Sequence, residues 1–570
     1  MRNPPYFFYG KIRAITMLSA CILVMALLVG CGKKGSGTTP VEPPIPASFS
    51  SKLITINGKP EISLDYNINT TPAVKFSFSA PVDHASVAAN VIFAANGGTI
   101  IPFNTTYSNG DSVVVIQPAA SLNFLSKYGI TVSTNLQSKI GGYLKTAAVV
   151  NFVTQIDSTD KFPRISDSAL LTLAQQQTFK YFWDFGDPVS GMVRERNTST
   201  DIVTTGGTGF GVMSIIVGIN RNFITRAAGL QRINKMVSFL TDKCIRNHGV
   251  FSHWINGATG ATVPFSQYDD GGDLVETSLL MQGLLCARQY FNRADADEVS
   301  LRANINVLWD GIEWSWFRQG GQNVLYWHWS ANYDFQINQK ITGWDEALIV
   351  YALAASSNKD SIPKIVYDNG WAANGGMKNG NTYFGIQLPL GPDLGGPLFF
   401  SHYSFLGINP HDLTDAYANY FTQNVNHSLV NYNYCVANPK NFFGYSSTTW
   451  GLTASDDNIS GYSAHAPASD DGVITPSAAI SSLPYTPLQS MNALKFYYYT
   501  LGDKLWGPYG FYDAFNLQDI WFANSTLAID QGPQIVMIEN YRTRLLWNLF
   551  MSCPEIKRGM KRLGFQSPAL

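Results

Sequence analysis

Two hydrophobic rhythms divide this chain, and each excludes the fold that the other requires. From about residue 49 to 156 apolar residues alternate with polar ones, as in Val74-Lys75-Phe76-Ser77-Phe78 and Tyr128-Gly129-Ile130-Thr131-Val132. A period of two puts one face of a strand into a core and leaves the other to solvent. Further runs at 112–116 and 148–153, with turn signals such as Asn109-Gly110-Asp111, predict about seven short strands and hence a small β-sandwich. A polar linker with Pro163 follows at 157–164. From 165 to 570 the period is helical. Leu170, Leu173, Phe179 and Phe182 begin the first helix, with Ser166 as its N-cap, and Ile233, Val237, Leu240 and Cys244 mark another. Helical patterns recur near 208–219, 274–290, 296–316, 344–356, 412–425, 488–501 and 533–551. Long segments rich in Gly, Trp, Tyr and Asn join them, and long loops on a compact scaffold are commonly functional. A stretch of this length with no fixed repeat predicts a single helical toroid.

The N-terminus has Arg2, Lys11 and Arg13 before an apolar run from Ala14 to Val29, the pattern of a secretory signal over residues 1–30. It ends in Leu28-Val29-Gly30-Cys31, which resembles a lipoprotein lipobox and makes Cys31 the expected site of lipidation. The run is short for an uncleaved membrane anchor. Residues 31–48, with Gly, Ser, Thr and Pro, read as a flexible tether. The expected location is the cell envelope, as an outer-membrane lipoprotein facing the periplasm or the surface. Cys244, Cys286, Cys435 and Cys553 form no CxxC pair, so no zinc or redox motif is expected, and a disulfide among them stays open.

Formal net charge is -1, which gives nucleic acid no electrostatic reason to bind. Charged residues are only 14% of the chain, yet Asp269, Asp270, Asp273 and Glu276 crowd into eight residues around a Gly271-Gly272 turn. Asp273 reads as the N-cap of a buried helix beginning at Leu274, and Asp269, Asp273 and Glu276 are expected to share one space. Gly343-Trp344-Asp345-Glu346 opens another apolar helix; an indole that desolvates Glu346 raises its pKa as a general acid requires, and an exposed residue of the first helical turn, supported by the dipole, is the equal alternative. Asp530, before Gln-Gly-Pro, lies at a loop-to-helix junction and faces a cleft. Aromatic residues make up 13% of the chain; flat rings with polar edges suit the C–H faces and hydroxyl rims of sugars. Candidate binding residues are Asp270, Trp327, His328, Trp329, Trp344, His402, Tyr403, Trp450, Asp456 and Tyr485. Glu539 and Arg542 join them, although their spacing also suits a structural ion pair on one helix.

Asp-Asp-Gly-Gly-Asp-Leu-Val-Glu-Thr at 269–277, Tyr-Trp-His-Trp-Ser at 326–330 and Trp-Gly-Leu-Thr-Ala-Ser-Asp at 450–456 resemble the glycoamylase-like domain. So do Pro484-Tyr485-Thr486-Pro487 and Ile529-Asp530-Gln531-Gly532-Pro533 through Glu539-Asn540-Tyr541-Arg542. The nearest group is glycoside hydrolase family 144, the bacterial β-1,2-glucanases. Phe78-Ser79-Ala80-Pro81-Val82-Asp83 resembles bacterial Ig-like domains. The resemblance implies an (α/α)6 barrel, an inverting hydrolysis of β-glucan, and neither metal nor organic cofactor. It places essential acids at Asp269, Asp273, Glu276 and Glu346, with Glu346 as general acid and Asp530 as base. Asp345 stands where the family has Asn, and is expected to disturb the Glu346 pKa. The expected ligand is an oligo- or polysaccharide and the expected assembly a monomer. Two other readings compete: a catalytically dead glycan-binding lipoprotein on the same barrel, and a hydrolase of another β-linked glucan. A polysaccharide lyase is disfavoured because the cluster is acidic rather than basic.

Overall fold

The computed structural model describes residues 48–570; the lipobox and Cys31 lie outside them. The alternating segment forms nine strands: β1 (Ser51–Ile56), β2 (Lys59–Pro60), β3 (Asp65–Ile68), β4 (Val74–Phe78), β5 (Val91–Ala95), β6 (Phe103–Ser108), β7 (Val113–Pro118), β8 (Lys127–Val132) and β9 (Ala148–Thr154). They make two facing sheets, ordered β2-β1-β4-β7-β6 and β3-β9-β8-β5. Val74 and Phe76 from one sheet and Phe93, Ile130, Val150 and Phe152 from the other are completely enclosed between them. The alternation therefore predicted the layer; very short or irregular strands such as β2 and β3 escaped it.

The sandwich is docked on the helical domain rather than hung from it. The Tyr66 ring stacks on Phe443 with centroids 5.0 Å apart, and its hydroxyl donates to the Gln518 carbonyl at 3.2 Å. Leu125 is buried in the same apolar cluster as Leu170 and Leu171 of the helical domain.

That domain is an (α/α)6 barrel. Helix α1 (Asp167–Trp183) starts at Ser166, whose hydroxyl accepts from the Ala169 amide at 3.2 Å. It packs on α2 (Thr205–Asn220) and on α6 (Ala528–Thr543). Helix α2 is apolar all round and buried from Thr205 to Ile219, as an inner-wall helix must be. It touches α3 (Leu274–Tyr290), which touches α4 (Leu348–Ser356); on its other side α6 meets α5 (Pro476–Ser481). Short turns at Leu398–Ser401 and Ser404–Leu406 close the circle between α4 and α5.

Helices α2 and α3 meet through glycines. A Cβ on Gly209 would lie 2.2 Å from the Leu279 carbonyl, and one on Gly283 would lie 2.1 Å from the Gly209 carbonyl. At the start of α2, a Cβ on Gly206 would strike the Glu276 carboxylate at 2.7 Å, and one on Gly207 would strike Ala528 at 2.8 Å.

Some boundaries differ from expectation. The helix expected near 412–425 is Tyr420–Ala437, because Asn419 caps it by accepting from the Thr422 amide at 2.9 Å. The pattern near 533–551 is two helices, broken at Arg544, which takes φ 61°. The helix holding Ile233 ends at Asp242, short of Cys244. Cys244, Cys286, Cys435 and Cys553 are all free thiols.

Candidate active site

The Asp269–Glu276 stretch is built around the start of α3. Asp273 is its N-cap: one carboxylate oxygen accepts from the Glu276 amide at 2.9 Å. The other accepts from the Trp327 indole and from His253 Nδ1, each at 3.1 Å. Gly271-Gly272 is not a turn. Gly272 and Asp273 pair with Trp329 and His328 as a two-residue strand, so close that a Cβ on Gly271 would meet the Trp329 carbonyl at 2.2 Å. Glu276 sits on the N-terminus of α2, accepting from the Gly206 amide at 2.7 Å and Thr204 Oγ1 at 3.3 Å. Burial raises its pKa despite these donors.

His253 was not foreseen. Burial opposes its charge, but Glu276, Asp273 and Asp269 outweigh that and push its pKa up to about 9, so it is a cation at neutral pH. Asp269 is pushed up to about 7 by burial and by the Asp273 charge. It lies 3.4 Å from His328 Nε2. That contact is no ion pair. Burial lowers the His328 pKa, and the Nε2 lone pair is already taken by the Gly271 amide at 3.0 Å.

Across the cavity, burial pushes Glu346 up to about 7, with help from the Glu276 and Asp273 charges. Asp345 does not charge the site: desolvation, then the Glu346 charge, hold it well above the carboxylate range, and it accepts from the Ala347 amide at 2.7 Å. The third acid, Asp530, lies in the first turn of α6. It is 4% exposed, accepts from Ser477 Oγ at 3.1 Å and is pushed up to about 7 by burial. Asp513 stands beside it as a second buried carboxyl, its pKa held well above the usual range by burial and by Asp530 and Asp456. Asp513 accepts from the Asp456 amide at 2.7 Å; the Asp456 side chain is itself held by Arg196 at 3.2 Å and Ser525 at 2.5 Å. Tyr403 stands among these groups. Its phenol is raised by burial and then by the charges of Asp530, Glu346 and Glu276 among its neighbours, and its ring packs on Phe210 and Phe399.

The structure thus gathers Asp269, Asp273, Glu276, Glu346, Asp530, Trp327, His328, Tyr403 and Asp456. Trp329 lies at the rim, edge-on to Trp316 and His248. Other residues fall elsewhere. Asp270 braces its own loop through Ser330 and through Asn332 at 2.7 Å, with its pKa lowered by these bonds against burial. The Trp344 ring is enclosed by Trp371, Phe405 and Tyr420 and offers no face to a sugar. Trp450 is fully buried, its amide donating to the Tyr497 hydroxyl at 3.2 Å. His402 is pressed down to about 3 by burial and contacts Ser482 at 3.1 Å, while the Tyr485 hydroxyl bonds the Ser401 carbonyl at 3.1 Å; both are struts. Glu539 lies nine residues beyond Asp530, about 13 Å along the helix. It pairs with Arg221 at 2.7 Å rather than with Arg542, which instead bonds Thr172 and Gln175 at 2.9 Å.

Carboxyl groups on separate inner elements, held partly protonated near neutrality in an aromatic-rimmed barrel, define a hydrolase of glycosidic bonds. The comparisons with known proteins agree. A family model described as Putative glucoamylase matches residues 338–554, and the Bacterial Ig-like domain model matches 61–154. An exo β-1,2-glucooligosaccharide sophorohydrolase (non-reducing end) of Parabacteroides distasonis is 42% identical over 492 residues, covering 81% of this chain and 67% of that protein. The endo-β-1,2-glucanase of Chitinophaga pinensis, solved with sophorotriose and glucose, is 50% identical over 71% of this chain and 100% of its own, with a TM-score of 0.70. A β-1,2-glucanase structure from Parabacteroides distasonis is 37% identical, covers 92% of this chain and 74% of its own, and has a TM-score of 0.69. The chain belongs to the glycoamylase-like glycoside hydrolases, in the family 144 group, and carries an N-terminal Ig-like domain. It is an enzyme, which sets aside the reading of a dead glycan-binding barrel.

Proposed function

We propose that this enzyme hydrolyses β-1,2-linked glucan or its sophoro-oligosaccharides with inversion, using Glu346 as general acid and Asp530 as base. The observation that carries the reading is a pair of carboxyls on separate inner elements, half-buried Glu346 and buried Asp530, each pushed up to about 7 and each raising the Tyr403 phenol by its charge. A carboxyl near the working pH both gives and takes protons readily. Glu346 protonates the departing glycosidic oxygen. Asp530 activates the attacking water on the opposite face of the sugar, directly or through a hydroxyl that relays the proton. Asp513, neutral beside it, leaves Asp530 as the charged member of the pair. Asp269, Asp273, Glu276 and cationic His253 hold sugar hydroxyls. Related enzymes supply the linkage: the named relatives act on β-1,2-glucans, one in exo and one in endo fashion. A lipid anchor at Cys31 would tether the enzyme in the cell envelope, acting as a monomer.

The test is incubation of the soluble protein with β-1,2-, β-1,3- and β-1,4-glucans, with products sized and their anomeric form followed by NMR. Cleavage of β-1,2-glucan alone, with the α-anomer appearing first, is expected. A β-anomer would refute inversion, and faster cleavage of another glucan would move the enzyme to the competing substrate. A disaccharide product from the first minute marks exo action; a ladder of sizes marks endo action. Glu346→Gln is expected to lose at least about 10²-fold in kcat while still binding substrate. An activated aryl glycoside, if accepted, is expected to restore much of the rate.

A further inference from the structure

Beside the active site, on the far face of one hairpin, stands a second polar cluster that the reaction does not use. The strands Ala454–Asp457 and Gly461–Ala464 pair so that Asp456 lies opposite Tyr462. Asp456 is turned to Arg196 and Asp513; Asp457, the next residue, points to the other side. There Asp457, His465 and Asp471 bring one ligand atom each within 4.8 Å of one another, Asp457 being held in place by the Ile459 amide at 2.7 Å, the Ser460 amide, Ser460 Oγ at 2.5 Å and the Gly461 amide at 3.2 Å.

His465 is the unusual member. It is completely buried, and neither ring nitrogen makes a hydrogen bond. The other buried histidines each have a partner: His402 has Ser482, His427 has Ser401 and the Gly396 carbonyl, and His328 has the Gly271 amide. His465 Nδ1 does lie 2.9 Å from Asp471 Oδ1, yet the direction is wrong for an N–H···O bond, and that oxygen is likewise unpartnered. Burying an imidazole with nothing on either nitrogen is costly. Two atoms on one ion at bonds of about 2.1 Å and a right angle sit about 3 Å apart, which is the spacing seen. Lys440 is spent on the Asp470 carbonyl at 2.5 Å, and the Asp470 carboxylate is taken by Tyr445 and the Gly472 amide. Among the described residues no lysine or arginine pairs with Asp471.

The geometry points to a structural divalent-cation site formed by Asp457, His465 and Asp471. One imidazole with two carboxylates suits a borderline ion such as Zn2+ or Mn2+; Ca2+ and Mg2+ prefer oxygen alone. Asp471 is partly exposed and gives the ion an entry path and room for water. The ion would clamp the hairpin whose opposite face carries Asp456 and, at 36% exposure, Tyr462. It has no part in the chemical step.

The test uses the full chain without an affinity tag, dialysed against chelator and then titrated with Zn2+, Mn2+, Ca2+ or Mg2+. About one equivalent of Zn2+ or Mn2+ is expected by elemental analysis, with a Tm a few degrees lower after chelation and restored by either ion. Asp471→Asn is expected to stay folded by circular dichroism and to lose both the stoichiometric metal and the Tm response. Anomalous scattering from a crystal of the loaded wild-type chain decides the position should that variant fail to fold. Tm indifferent to chelator, with no stoichiometric metal, overturns the site. Binding that survives both Asp471→Asn and His465→Gln, or a response to Ca2+ or Mg2+ alone, overturns it too.

Discussion

Replacing Glu346 by Gln is expected to stabilise the protein at alkaline pH while it destroys activity. The folded chain holds this carboxyl at about 7, against 4.5 for a free glutamate. Folding therefore favours its protonated form. That contribution is fully present below about pH 4.5, and it is lost as pH rises through about 7, where the ionised side chain weighs against the fold. At about 1.4 kcal/mol for each pKa unit, the penalty carried by wild type at about pH 8 is on the order of 3 kcal/mol. Glutamine keeps the shape and cannot ionise. Urea unfolding midpoints, measured for both proteins from about pH 4 to pH 8, should coincide at the acid end and diverge above neutrality, with the variant the more stable. A constant difference across the range would refute the reasoning, because the carboxyl would then be ionised throughout. A less stable variant at about pH 8 would show that the charge is compensated by a partner.

Four further outcomes are expected. Activity should follow a narrow bell centred near pH 7, falling on the acid side as Asp530 is protonated and on the alkaline side as Glu346 ionises; Asp530→Asn should lose about 10²-fold or more in kcat with its binding of substrate kept. A chain beginning near Lys161 should fold and keep activity on soluble substrate, but melt at a lower temperature because Phe443 loses Tyr66 and the Leu170 cluster loses Leu125; an inactive product would make the sandwich part of the catalytic unit. Gly209→Ala should destabilise by about 1–3 kcal/mol or more in urea unfolding, since its methyl meets a backbone carbonyl that cannot swing away. Cys31→Ser should leave the membrane fraction or remain unprocessed, read by fractionation and lipid labelling.

What the sequence showed and what it hid follow from how each residue is supported. Asp273 and Glu276 were legible because a helix N-cap and its third residue leave a local signature, and the buried helix after them has no other way to begin. The sandwich was legible because Val74–Phe78 alternates strictly. His253 was not, since it sits alone between short strands and acquires its charge from residues up to 23 positions away. The Arg196–Asp456–Asp513 group joins three separate segments, so no spacing reports it. Trp344 misled for the opposite reason. An indole two residues before an acid suggests contact, but its ring turns into the wall against Trp371 and Phe405. Glu539 and Arg542 have the right spacing for a pair, and Arg221 from α2 takes the glutamate first.

The glycine-lined start of α2 bears on how the enzyme can change. Gly206 abuts Glu276 and Gly207 abuts Ala528, two residues before Asp530, so a single helix end is wedged between the two acidic groups with no room for a methyl on either side. The floor of the site is in this sense incompressible: any side chain added there pushes Glu276 away from the helix that carries Asp530. New substrate preferences must therefore arise on the loop that bears Phe265 and Tyr268, where exposed rings can be exchanged without moving the floor. A library aimed at chain length or linkage is best confined to that loop, and one that includes residues 204–209 will mostly sample misassembled barrels.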